Sequence, residues 1–381
     1  MFSIRRTLLL AFIGACASTV LASAQAASSQ TDISAQTQAS PVAYVYVSSS
    51  PSTGKNQINA YAAAANGALS PIPGTPFSTP AYAMALNGTW LFATDGSNID
   101  SFSIAADGAL NEKDSYNAEN GGLISLFLDH TGSTLYTDYY TTNNDYLSYS
   151  IDQSTGQLMP VNDLAGGPSN NGVLSFIGNN EFGYSSSCYH FTPDIYGVQR
   201  ASDGALTYLN SNPPFPAPPS GDFWCPWLAA ADPTNHLAIA MQPLNGNFTV
   251  EGPYQLASYT VDNSGNLTTT NTYQNMPKVL VGSAIYDYQM SPDGKFLAVG
   301  GTSGLQIFRF NGANPITKFT GLLPANGINQ LFWDSKNHLY AISSMAGKLY
   351  VLTVTSAGIS QAPGSPHPVK GPEGLIVLPK P

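Results

Sequence analysis

The fold this sequence predicts is all-β: a seven-bladed β-propeller of four-stranded antiparallel blades, its ring closed by strands from both ends of the chain. Three observations carry that expectation. One stretch reads as a complete blade, two series of turn dipeptides repeat it, and a final apolar strand has no blade of its own. Composition agrees. Only 9% of the 381 residues are charged, while Gly, Pro, Tyr, Ser, Thr and Asn are abundant. That is the usage of many short strands joined by turns, not of solvated helices.

Residues 284–310, AIYDYQMSPDGKFLAVGGTSGLQIFRF, show the blade most plainly. Residues 284–290 alternate, 296–300 are apolar and 305–310 alternate again, with a fourth short strand expected near 316–319. Asp293-Gly294 and Thr302-Ser303-Gly304 separate the first three strands with chemistry suited to sharp reversals. Such a sheet cannot bury both faces alone, so the unit must recur.

The outer hairpin of each unit closes at Asn66-Gly67, Asp107-Gly108, Thr155-Gly156, Asp203-Gly204, Ser264-Gly265, Asn311-Gly312 and Ala357-Gly358, with glycine spacings of 41, 48, 48, 61, 47 and 46. Seven units fit, and the fifth carries an insertion. The inner hairpin closes at Asn87-Gly88, Thr131-Gly132, Asn179-Asn180, Thr234-Asn235, Asp293-Gly294 and Lys336-Asn337, which is one turn too few. The first unit begins directly with a second-strand sequence, 43–48, while the terminal GLIVL, 374–378, is a strand without a unit. Pairing the two closes the ring and leaves no free edge. Six or eight blades, or a pair of β-sandwiches, are the competing architectures; the regular spacing disfavours the sandwiches.

Residues 1–26 read as a targeting segment: Arg5-Arg6, an apolar stretch at 8–15, and a small-residue cleavage site at Ala22-Ser23-Ala24. A second reading takes Ile13-Gly14-Ala15-Cys16 as a bacterial lipoprotein signal, which leaves Cys16 lipidated. Under either, 27–41 is a linker too polar to fold, 42–381 is the propeller, and the protein is exported, periplasmic or secreted. No other segment is long and apolar enough to span a membrane as a helix. Removing 1–26 leaves 11 cations against 23 acids, a net charge of −12. That balance argues against nucleic acid and against anionic lipid surfaces.

The strand at 44–47 (YVYV), then Ile58-Asn59-Ala60-Tyr61, then Gly67-Ala68-Leu69, resembles the seven-bladed lactonase propellers, the 6-phosphogluconolactonase-like and muconate-cycloisomerase-like enzymes. SPDGKFLAV, LSYSIDQSTGQL and ASYTVDNSGNL fit the same pattern, and the resemblance spans about residues 42–379. It implies a monomeric hydrolase of a small lactone or sugar that needs no redox cofactor. The chain departs from the family at the entrance to the third blade. Relatives usually carry a histidine there, and this chain has Gly121-Gly122-Leu123-Ile124-Ser125. A non-catalytic propeller binding a glycan, peptide or envelope partner is the alternative.

Links between blades, and loops from second to third strands, form the face that propellers usually use for binding. The richest such loops are 186–194, 210–227 and 242–254, all in blades four and five. His190, Asp222 and Glu251 are the expected proton-transfer groups, with Tyr189, Asp194, Trp224 and Trp227 as substrate contacts. Aromatic faces cover the C–H surface of a sugar, and acids bind its hydroxyls or move protons. The competing reading is that these aromatics pack a Pro-rich loop onto the propeller. A secondary patch comprises Asp138, Tyr139, Tyr140 and Asp145, while Tyr286 and Asp287 are expected to look into the central channel.

The only lysines placed to gather on that face are Lys55, Lys348 and Lys370, whereas Arg200 and Arg309 run toward the hairpin face. Acids in the hairpin turns, such as Asp107, Asp203 and Asp293, are expected to bond their own backbone. No metal cluster or phosphate-cradling loop stands out. Cys188 and Cys225 fall on adjacent blades at one face, and an exported chain favours a disulfide between them.

Overall fold

The computed structural model describes residues 40–50, 55–118, 122–123, 125–140, 144–167, 172–188, 193–209, 213–219 and 221–380, without the side chains of 139, 140, 144, 145, 166 and 167. The targeting segment 1–26, Cys16, most of the linker, Tyr189 and His190 lie outside the described residues. Residues 40–381 form one compact unit.

Seven antiparallel sheets follow one another around a ring, each of four strands, with an extra two-residue strand beside blades six and seven. The template blade has strands Ile285–Met290, Phe296–Gly301, Gly304–Asn311 and Asn314–Lys318. Blade one is assembled from both ends of the chain. Ala43–Ser49 pairs with Pro372–Pro379, with Tyr44 opposite Leu378 and Ser48 opposite Gly374. Gln330 carries blade seven onto that closure, because its Oε1 accepts the Leu375 N–H at 2.6 Å.

Why the outer hairpins end in glycine is visible in the packing between blades. Gly108 of blade two and Gly156 of blade three hold φ of 88° and 77°. A Cβ on Gly108 would come within 2.7 Å of the Tyr44 ring, and one on Gly156 within 2.5 Å of the Trp90 indole. Both aromatics come from the preceding blade. The glycine thus answers a backbone that L-residues avoid and a contact with no room for a methyl. Polar bonds repeat the arrangement: the hydroxyls of Tyr46, Tyr136 and Tyr184 donate to the carbonyls of Gly108, Gly204 and Gly265 of the next blade. Gly358 departs from the series, since it pairs directly with Thr355 and the turn falls on Ser356-Ala357.

The hairpin face also takes up the polar residues expected to be structural. Asp334 accepts from His338 Nδ1 at 2.7 Å and from the Tyr340 hydroxyl at 3.0 Å, and all three side chains are buried. Asp232 and His236 repeat the pair in blade five. Asp107 caps Ala109, and Asp203 caps Ala205. Arg200 forms an ion pair with buried Asp129, and Arg309 lies over the Phe319 ring at 4.4 Å.

The insertion in blade five is an arm. Its two inner strands, Asp222–Ala231 and His236–Asn245, are ten residues each and pair along their length. The inner strands of blades three and four, Phe127–Leu128 and Ser175–Phe176, have only two. At about 3.3 Å per residue, Asp222 stands about 20 Å along the strand from Leu228, where the arm leaves the ring. Cys188, at the end of the second strand of blade four, is bonded to Cys225 in this arm with Cα atoms 5.2 Å apart. Leu244 and Phe223 pack around the pair.

The bond spans a sequence separation of 37 residues, so chain entropy assigns it about 3–4 kcal/mol. The expected result of replacing both cysteines by serine is a loss of that size in urea unfolding of the oxidised protein. Equal midpoints for the two proteins would show that the arm is held without it.

Candidate active site

The inner strands of all seven blades enclose a central cavity of about 620 Å³. Its wall is uneven because the inner strands differ in length. In blade three the ladder stops at Phe127–Leu128, opposite Tyr136 and Leu135, so the second strand continues past it and brings Asp138 to the cavity wall. Blade four does the same. Ser175–Phe176 ends opposite Tyr184 and Gly183, and Ser185 of the second strand reaches the cavity.

Asp138 is 0% exposed. The Ser125 hydroxyl, itself on the cavity wall, donates to Asp138 Oδ1 in a short hydrogen bond. Oδ2 is buried and has no hydrogen-bond partner among the described residues. Behind the carboxyl stands Tyr146, its cross-strand partner. The Tyr146 hydroxyl lies 3.0 Å from that of Tyr196 and 2.9 Å from the Gly172 carbonyl. Burial pushes the Asp138 carboxyl up to about 6, and the bond from Ser125 offsets only part of that. An acid with one unused oxygen and an affinity for protons near neutrality is the equipment of a proton-transfer group.

Asp287 stands on the wall of blade six. The ladder slips between Ile285 and Asp287, a bulge that re-aims side chains at the channel mouth. Burial lifts this carboxyl to about 6 as well. Unlike Asp138, it is fully engaged. Oδ2 accepts the Leu331 N–H at 2.5 Å, and Oδ1 accepts the Tyr288 N–H at 2.7 Å and the Gln289 amide at 3.3 Å. The Leu331 N–H ties blade seven to blade six through this carboxyl, and the donors together make Asp287 a fixed wall charge. Above it, Tyr286 is 44% exposed, and Tyr82 on blade two is 55% exposed. Both border the cavity.

The residues expected around blades four and five do not converge on this cavity. Asp222 and Glu251 do share a neighbour, Asn245: Asp222 pairs with it across the ladder, and its amide donates to Glu251 at 2.5 Å. That meeting point is the end of the arm, and neither acid borders the channel. Trp224, expected to contact substrate, is packed inside the arm. It is 2% exposed, its indole N–H donates to the Pro216 carbonyl at 2.9 Å, and its ring packs near Tyr273. Trp227 is exposed at the base of the arm, next to Leu228, and does not itself line the cavity. Asp194 opens the third strand of blade four opposite Ser187, half-buried, with its carboxyl pushed up by burial. Lys348 and Lys370 also stand off the wall: Lys348 pairs with Pro368 in blade seven, and Lys370 is exposed in the link that follows. Among the described residues, no group of three or more His, Cys, Asp or Glu could hold a metal ion.

Sequence reasoning ranked Asp138 below the aromatic loops and gave Ser125 no role. No sequence signal marked the pair, because the short pairing at Phe127–Leu128 that exposes the strand behind it shows only in the structure.

Fold and site together define a closed seven-bladed propeller with an acidic central channel. Solved structures of the same architecture include the periplasmic gluconolactonase of Pseudomonas aeruginosa, 13% identical, with a TM-score of 0.65 over 89% of this chain and 99% of that one. A 6-phosphogluconolactonase candidate from Bacteroides fragilis is also similar, at 13% identity and a TM-score of 0.66 over 88% of this chain and 98% of that one. The similarity establishes the fold. No protein-family model matches the chain, and no curated protein does.

Proposed function

We propose that this protein is an exported lactonase-like hydrolase that opens a small hydroxylated lactone in the central channel. The observation that carries the reading is the Ser125–Asp138 pair, with its unpartnered Oδ2 and a carboxyl raised to about 6. Ionised Asp138 takes the Ser125 proton as Ser125 takes one from a water, and the hydroxide so formed attacks the lactone carbonyl carbon. The tetrahedral adduct then breaks its bond to the ring oxygen. That oxygen receives the proton back from Asp138 through Ser125, which leaves an open hydroxy acid. Tyr82 and Tyr286 offer ring faces at the mouth for the sugar's C–H surface. The gluconolactonase among the similar folds supports the reaction class, and the disulfide supports an oxidising compartment.

A second reading, a propeller that binds such a ring without turnover, is favoured by one observation: among the described residues no histidine borders the cavity. Hydrolysis of D-glucono-1,5-lactone, followed by proton release against buffer alone, separates the two. The expected result is catalysis above the buffer rate that Asp138→Asn removes and Asp107→Asn, in a turn on the opposite face, retains. Saturable binding without acceleration would leave the second reading, and neither binding nor acceleration would remove both.

A further inference from the structure

We infer that the channel selects uncharged hydroxylated rings and rejects their phosphorylated counterparts, an inference that rests on the channel being the ligand site. Among the described residues the charge on its wall is of one sign. Asp138 and Asp287 come from blades three and six, on opposite sides of the ring. Among the described residues, no Lys, Arg or His borders the cavity. From residue 40 onward, the only basic side chain outside the described residues is His190.

A phosphoryl group needs the reverse. It carries nearly two negative charges at neutral pH and is held by bidentate arginine, lysines or converging backbone N–H groups. The N–H groups of Tyr288 and Leu331 are already spent on the Asp287 carboxylate and leave nothing for an anion. A hydroxyl suits this wall better, because it donates to the Ser125 oxygen, whose own proton lies on Asp138, and brings no charge to desolvate. The mouth adds ring faces in Tyr82 and Tyr286. The geometry therefore rewards the ring and penalises the phosphate.

The test is calorimetric binding of D-gluconolactam, a neutral lactone isostere that water does not open, and of its 6-phosphate. Both are titrated into the full-length chain at pH 8. Both channel carboxyls are ionised there, and a histidine of ordinary value is neutral. The expected result is that the neutral lactam binds at least 10-fold more tightly. In Val173→Lys, an exposed position on the rim, the phosphorylated lactam should gain at least 3-fold while the neutral one stays within 2-fold. Equal or tighter binding of the phosphorylated lactam by the native chain overturns the selectivity and leaves the channel as the ligand site. Binding of neither lactam overturns the channel reading itself, and this inference with it.

Discussion

A chain that ends at Lys370 is expected to lose the cooperative thermal transition of the full-length protein, or to melt more than about 10 °C lower. The deleted strand, Pro372–Pro379, is the inner strand of blade one and the closure of the ring. Leu375, Ile376, Val377 and Leu378 are each no more than 6% exposed. At about 1.5–3 kcal/mol for each large apolar side chain buried, their loss removes about 6–12 kcal/mol. Whole domains have only about 5–15 kcal/mol. Deletion also strips partners from both neighbours. The Gln330 side chain loses the Leu375 N–H, Ser344 loses the Pro372 carbonyl, and Ala43–Ser49 becomes an open edge. Calorimetry of the two proteins decides the matter, and a truncated chain melting within about 3 °C of the intact one would mean that the ring is not held by its closure.

The closure was legible because it follows from counting: six inner hairpins for seven outer ones leave one strand to be supplied by GLIVL. Blade number was legible for a related reason. Six of the seven outer-hairpin glycines hold a positive φ, and at Gly108 and Gly156 an aromatic of the preceding blade also stands where a Cβ would go. Local demands of that kind leave a mark at a fixed place in every repeat. The site left no such mark. Asp138 owes its position to what its neighbour lacks, because a two-residue inner strand lets a second-strand side chain reach the channel. Strand length of that kind depends on long-range pairing, which a single sequence does not display. Trp224 shows the converse difficulty. A tryptophan in a Pro-rich stretch reads alike whether its face waits for a sugar or, as here, is buried with its N–H on Pro216. The aromatic loops therefore suggested a pocket where the chain builds a disulfide-tied arm.

Replacing Asp138 by asparagine is expected to lower kcat/KM for lactone hydrolysis by about 10²–10⁴ while making the fold more stable at pH 8. The two effects have one cause. The carboxyl is buried and its folded value is raised to about 6 from an ordinary 3.8. Its contribution to stability is therefore full below pH 4 and is lost as pH rises through 6. At pH 8 the ionised group costs up to about 3 kcal/mol relative to its neutral form. Asparagine keeps the shape without the charge but brings an N–H₂ where Oδ2 had no partner, so the expected net gain is about 1–2 kcal/mol. The gain should vanish by pH 4, where the folded carboxyl is protonated and the unfolded one already partly so. In the native protein, kcat/KM should rise as pH climbs through about 6, since only the ionised form takes the proton from Ser125. Urea unfolding at pH 4 and pH 8, run beside the pH–rate profile, reads both consequences. A variant that is both inactive and less stable at pH 8 would mark Asp138 as a structural acid, and the channel would lose its proton-transfer group.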